Sequence, residues 1–356
     1  MQKGSLIWLA LLLTLFVCSL PLSVDTAEAS VNRESGAVVI ESESERVLYS
    51  ENMNVKLFPA STTKVLTALT VLENTTDIKK EVEIPDCSVG IEGSSIYLKK
   101  GDVRTVEELL YGLMLRSGND AAVALATVTS GSVDDFVVKM NETAVNCGAK
   151  NSNFINPHGL HDDNHYTTAY DLALITAKAF KNETFKKIVS AKNVKFEDRY
   201  YQNKNKMLWN YEGANGVKTG FTKASGRCLV SSAARDGMQL ICVVLNHYNM
   251  WEDSKAYMNK CFKKYSMKPL FENLSEEIDV VKGKSDTVAA TANSILYPTA
   301  EGEKFDVKIE KFALKAPFES GTECGNVEVY DGNYLIFSSK LFTISGVEKK
   351  SIFSFK

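Results

Sequence analysis

Apolar residues change their spacing several times along the chain, and each change predicts an element. Residues 6–20 form an apolar run interrupted only by Thr14 and Ser19, with Lys3 before it, Pro21 after it and Ala27-Glu28-Ala29 beyond. A positive start, a core shorter than the ~20 residues that span a bilayer, and small residues two apart predict a secretory leader cleaved after Ala29. The protein is therefore expected to be exported and to work outside the cytoplasm. Ala37-Val38-Val39-Ile40 and Arg46-Val47-Leu48-Tyr49 then predict the two strands of a hairpin around a polar turn. Pro59-Ala60-Ser61 opens a run, 65–72, whose apolar residues suit a buried helix. Thr105-Val106-Glu107-Glu108 is a capping box ahead of Leu109, Leu110, Leu113 and Met114 at helical spacing. Ser117-Gly118-Asn119 interrupts that helix before an alanine-rich one. Ser132 with Asp135, and Thr168 with Asp171, predict two further helix starts, with Gly148 closing the first of them.

The period then switches. Residues 216–245 carry three apolar, β-branched runs, the last two joined by Asp236-Gly237, a strong hairpin turn, and a helix is expected over 253–265. Strands first, many helices between, and adjacent strands last favour an antiparallel sheet whose first and last strands meet, with helices on its faces. From Ile278 onwards only short alternating runs appear, such as Phe305-Asp306-Val307-Lys308-Ile309, broken by Gly and Pro. They predict a small all-β domain. The expected class is α+β, divided into a leader 1–29, a first domain 30–273 and a C-terminal β-rich domain 274–356, with the boundary near Leu274.

Composition narrows what this fold can be used for. The chain has 356 residues, 41 Lys+Arg against 44 Asp+Glu, and a formal net charge of −3. No basic excess exists to displace counterions, so nucleic acid is not an expected partner. Cys87, Cys147, Cys228, Cys242, Cys261 and Cys324 remain after the leader, too thin for a disulfide scaffold and without a CxxC pair, and mostly free thiols are expected. His158, His161 and His165 lie in one loop at spacings unlike a helical zinc pair, so no metal is expected.

Three short motifs carry candidate chemistry. In Ser61-Thr62-Thr63-Lys64, helical spacing puts a hydroxyl and an amine on one face. A serine becomes a nucleophile when a base takes its proton, and a lysine is that base only if burial or neighbouring positive charge lowers its pKa. Ser117-Gly118-Asn119 sits at the helix break, where Ser117 can relay a proton and Asn119 can hold a substrate amide. Lys218-Thr219-Gly220 ends a strand, with Gly220 leaving room for another backbone to come close. Singly, each is a common surface, turn or edge pattern. Together, in this order and on a helix start, an inter-helix turn and a strand, they are the parts that serine acyl transfer requires.

With Gly93-Ser94-Ser95, Asn156-Pro157-His158-Gly159-Leu160, Phe221-Thr222 and Ala316-Pro317, these motifs make the chain resemble the D-alanyl-D-alanine carboxypeptidases of the low-molecular-mass penicillin-binding protein class. It is most similar to the type with an added β-rich domain, which includes sporulation-associated members. The resemblance implies the β-lactamase/DD-peptidase-like fold and a peptidoglycan stem peptide ending in D-Ala-D-Ala as substrate. It implies acylation of Ser61, by substrate or by β-lactams, and no cofactor. It also implies Lys64 as the base, Ser117, Asn119 and Lys218 completing the cleft, an oxyanion hole from the N–H groups of Ser61 and Phe221, and Thr219 and Thr222 at the substrate's carboxylate. Many relatives pair that carboxylate with an arginine where this chain has Met250. The missing ion pair is expected to weaken selection for a free C-terminus. Residues 351–355 are too few for the amphipathic helix many relatives carry, so release or loose membrane or wall association is expected. The rival readings are a serine β-lactamase on the same fold, for which Glu183 and Glu197 are the only candidate deacylation bases, and a catalytically weak wall-binding scaffold.

Overall fold

The computed structural model describes residues 34–272 and 274–351. The expected leader, with its cleavage after Ala29, and residues 352–356 lie outside them. The hairpin Gly36–Glu41 and Val47–Glu51 forms one side of a five-stranded antiparallel sheet, and Gly36–Glu41 also pairs along its length with Met238–Leu245, placing Val38 opposite Val243. Gly226–Arg235 follows, and Ala214–Thr222 is the far edge. First and last strands therefore meet, as the order of elements predicts. The hairpin turn between the last two strands has Asp236 and Gly237 at φ 48° and 78°, the left-handed pair that a tight turn of matching twist requires.

Both faces of the sheet are covered, which is why its strands read as continuous apolar runs rather than alternating ones. Val38, Ile40, Val230 and Val243 pack under a layer of helices that includes Lys64–Glu73, Ala169–Phe180 and Glu183–Ser190. Val39, Leu229, Cys242 and Val244 face Met250, Met258 and Cys261 of the helix Met250–Lys264. Each fully buried aliphatic side chain contributes roughly 1.5–3 kcal/mol relative to exposure. The expected caps form: Glu108 N donates to Thr105 Oγ1 at 3.1 Å, Asp135 N to Ser132 Oγ at 3.0 Å, and Asp171 N to Thr168 Oγ1 at 3.0 Å. The last sheet-covering helix begins at Met250, earlier than expected. Asp253 lies within its first turn, where a carboxylate is favoured by the free N–H groups but does not start the helix.

The helix Met250–Lys264 runs directly into the strand Tyr265–Pro269, which pairs with Leu296–Ala300. The boundary expected near Leu274 falls between that strand and Glu276–Val281. The remaining strands form a six-stranded sheet, antiparallel except where Glu276–Val281 meets Leu314–Lys315, over two small apolar cores. Among the described residues all six cysteines are free, and no single helix is long and apolar enough to cross a membrane.

Candidate active site

The nucleophile candidate sits on a short 3-10 turn, Ala60–Thr63, that leads into the helix Lys64–Glu73. Ala60 adopts a left-handed φ of 47°, and the loop residue Gly159 packs directly on it. A Cβ at Gly159 would lie 1.9 Å from the Ala60 carbonyl oxygen, and Gly159 itself has φ +83°, so only glycine fits. Thr63 Oγ1 donates to Ala60 O at 2.8 Å and lies 2.8 Å from His165 Nε2. Ile155 N donates to His165 Nδ1 at 3.2 Å, so Nε2 carries the proton and donates to Thr63. Burial lowers the His165 pKa to about 4, consistent with a neutral ring.

Lys64 is fully buried. Its Nζ lies 3.1 Å from Ser61 Oγ, 2.7 Å from Asn119 Oδ1 and 2.6 Å from His158 O. Burial, then the positive charges of Lys218 and Lys204, push its pKa well below the ordinary lysine value, with Asp120 acting in the opposite direction. A neutral amine has two N–H bonds and one lone pair. The two carbonyl-type oxygens can only accept, so they take both N–H bonds and leave the lone pair for the Ser61 hydroxyl. The geometry is that of a base aimed at a nucleophile.

Ser117 breaks the preceding helix with φ 66° and lines the cleft, and its hydroxyl makes no hydrogen bond to any described residue. Asn119 is turned away from the open cleft: its Oδ1 meets Lys64 and its Nδ2 donates to Glu92 O. Lys218 is buried, donates to Thr219 O at 2.7 Å, and has its pKa lowered to about 7 by burial and by Lys204. The edge strand Ala214–Thr222 passes hard against the nucleophile turn. A Cβ at Gly220 would come within 3.0 Å of Pro59 O and Thr62 N and 3.1 Å of Ser61 N. Thr219 and Gly220 line the cleft, and Phe221 stands at its mouth, 65% exposed. Thr222 does not line it. Its hydroxyl is 2.9 Å from Ser225 Oγ and accepts from Ser225 N at 2.9 Å, closing the turn to the next strand.

The cleft has a volume of about 320 Å³. Met250, the residue at the expected arginine position, lines it together with Trp251. Two further lining residues, Ser94 and Lys204, were not among the site residues expected. Lys204 Nζ donates to Ser94 Oγ at 3.2 Å, and burial and Arg116 lower its pKa. Ser94 carries a signal in the Gly93-Ser94-Ser95 string. Lys204 carries none, because it lies on an irregular stretch before the short helix Met207–Asn210. Glu183 pairs with Lys186 at the surface at 2.7 Å, and neither it nor Glu197 lines the cleft. Among the described residues no group of three or more His, Cys, Asp or Glu is arranged to hold a metal.

A family profile described as D-alanyl-D-alanine carboxypeptidase, peptidase S11, matches residues 23–249, and one for the penicillin-binding protein 5 C-terminal domain matches 265–349. The chain is 33% identical over 343 residues to the D-alanyl-D-alanine carboxypeptidase DacF of Bacillus subtilis, covering 90% of this chain and 87% of that protein. It is 30% identical over 341 residues to the D-alanyl-D-alanine carboxypeptidase DacA of Haemophilus influenzae, covering 89% and 86%. Among solved structures, penicillin-binding protein 5 from Haemophilus influenzae superposes with a TM-score of 0.73 at 29% identity, covering 88% of this chain and 97% of that one.

Proposed function

Because the chain belongs to the D-alanyl-D-alanine carboxypeptidase family, we propose that it removes the terminal D-alanine of peptidoglycan stem peptides through an acyl-enzyme on Ser61. Lys64 takes the Ser61 proton as the oxygen attacks the penultimate D-alanine carbonyl. The oxyanion that forms is met by the N–H groups of Ser61, at the start of the helix, and of Phe221, on the edge strand, where preorganised N–H groups stabilise developing negative charge. The C–N bond breaks, the proton returns from Lys64 by way of Ser117 to the departing D-alanine nitrogen, and water then hydrolyses the ester. Thr219 meets the substrate's carboxylate, Lys218 behind it completes the cleft, and Thr222 shapes the turn that ends their strand. β-Lactams acylate the same oxygen, their ring carbonyl standing for the peptide's.

The observation that carries this reading is the Lys64 amine with both N–H bonds taken and its remaining direction toward Ser61. Stem peptides lie outside the cytoplasmic membrane, in keeping with an exported protein that has lost residues 1–29 and is loosely held at the membrane or wall. We assign the chemistry to 30–273 and leave 274–356 as an accessory domain. Intact-mass spectrometry after penicillin exposure tests the nucleophile: one long-lived adduct on the native protein, absent in Ser61→Ala, is expected, alongside release of D-alanine from a D-Ala-D-Ala peptide. Rapid penicillin turnover without an adduct identifies a β-lactamase instead. An intact cleft with neither adduct nor D-alanine release identifies a scaffold.

A further inference from the structure

Segment 92–98 supplies one wall of the cleft through Ser94, yet it contains no helix or strand. Its shape is therefore set by what it bonds to: Arg199 donates to Ile96 O, and most of the other partners are two consecutive residues. Asn119 N donates to Ser94 O at 2.7 Å. The Asp120 carboxylate, 1% exposed, accepts from Ser95 Oγ at 2.6 Å, Ile96 N at 3.0 Å and Leu98 N at 3.1 Å, and from Ala121 N of its own helix at 2.9 Å. Ser94 in turn receives Lys204. We propose that Asp120 is a positioning residue for acylation: its carboxylate holds 94–98 against the start of the helix Asn119–Ser130, and so fixes where Ser94 and Lys204 stand relative to Ser61 and Lys64. This rests on the reading of Ser61 and Lys64 given above.

A carboxylate suits the task because it accepts in several directions at once, whereas an amide at this position offers one acceptor and one donor. Its charge adds a second effect. Five titratable groups act on Lys64 or are acted on by it: Lys218 from the edge strand, Lys204 from the stretch before Met207–Asn210, His158 and His165 from the loop, and Asp120 from the helix. The two lysines disfavour the ammonium form, and His158, lowered to about 3 chiefly by burial, is neutral. Asp120 alone favours it. Removing the Asp120 charge therefore moves Lys64 to a lower pKa, and its free-base form persists to lower pH.

The test is the pH dependence of the acylation rate by a fluorescent penicillin, on full-length wild type, Asp120→Asn, Ser95→Ala and Ser61→Ala, with thermal unfolding of each. Asp120→Asn is expected to react roughly tenfold more slowly at the wild-type optimum, as loss of hydrogen bonds to a charged group implies. Its acid limb is expected at lower pH than the wild type's. Ser95→Ala, which loosens the segment without changing charge, is expected to slow acylation by roughly two- to tenfold with its acid limb in place. A purely structural role would slow Asp120→Asn without moving the limb, and that result overturns the proposal, as does an unchanged rate. Should Asp120→Asn fail to fold, Ser95→Ala decides: slower acylation at an unchanged melting temperature supports the proposal, and an unchanged rate defeats it. Absence of label on the wild-type protein, by contrast, takes down the reading of Ser61 and Lys64 first.

Discussion

A lysine can accept a proton only after it has lost its own, and the surroundings of Lys64 achieve this by burial and by two like charges. Lys64→Arg keeps a long basic side chain but installs a group that does not deprotonate in proteins and is permanently charged. Acylation by penicillin is expected to fall by at least ~10²-fold, the lower end of what general-base help provides, with circular dichroism unchanged; near-native acylation would show that Lys64 is not the base. Gly220→Ala asks a different question. Its new Cβ meets three backbone atoms of the nucleophile turn at 3.0–3.1 Å, so strand and turn must separate by a few tenths of an ångström. Displacement of that order at a reacting centre is expected to cost up to roughly 10²-fold in kcat. Met250→Arg is the gain-of-function case. An arginine lining the cleft offers a bidentate partner to a terminal carboxylate. The KM for a peptide with a free C-terminus is expected to drop roughly tenfold, while that for its C-terminal amide stays put. Equal effects on both peptides would remove the carboxylate from the account.

At the scale of elements, the loop carrying His158 and His165 braces the nucleophile turn, and both rings are held neutral, with pKa values of about 3 and about 4. Both lie below the ordinary histidine value, so the unfolded chain binds these protons first as pH falls. The stability they represent is complete above about pH 6.5 and is lost as pH drops toward 4, at on the order of 1 kcal/mol per pH unit for each proton. His165→Gln should flatten that slope in urea unfolding measured from pH 7 to pH 4, and a slope identical to wild type would sink the assignment. What could be read from sequence divides along similar lines. The caps at Thr105, Ser132 and Thr168 and the Asp236-Gly237 turn were legible because each is a bond or a φ preference between residues at most three apart. The meeting of the first and last strands was legible from element order. Lys204, the grip of Asp120 on 94–98 and the inward use of Thr222 by its own turn were not, because each depends on which distant backbone arrives alongside. The helix Glu183–Ser190, capped by Asn182 with Phe185 N donating to its Oδ1 at 3.1 Å, was also not anticipated. Its apolar face is short and its surroundings are polar.

At the scale of the whole molecule, one side chain from the first hairpin's turn reaches the C-terminal β structure. Arg46 pairs with Glu303 through both terminal nitrogens, reaches Asp331 at 3.5 Å, donates to Pro298 O, and lies 5.5, 5.1 and 5.6 Å from the ring centres of Tyr265, Tyr297 and Phe305. Its side chain is only 12% exposed. Tyr265 opens the strand that continues from the sheet-covering helix, and Tyr297 lies in the strand paired with it, so the guanidinium joins the turn of the five-stranded sheet to the strand pair Tyr265–Pro269 and Leu296–Ala300. Arg46→Ala leaves the Glu303 carboxylate partly buried without its partner. The cost should lie between that of a surface pair and a buried one, about 2 kcal/mol. The cleft is lined by none of these residues, so acylation by a small β-lactam should be unchanged while the two parts lose their coupling. The expected signature is a second, lower unfolding transition and faster protease cleavage within 265–305, with Arg46→Lys only partly restoring either, since an ammonium cannot reproduce the fork. A single transition at the wild-type temperature with undiminished protease resistance would mean that the strand pairing of 265–269 with 296–300 holds the parts together unaided, and that Arg46 merely decorates the junction.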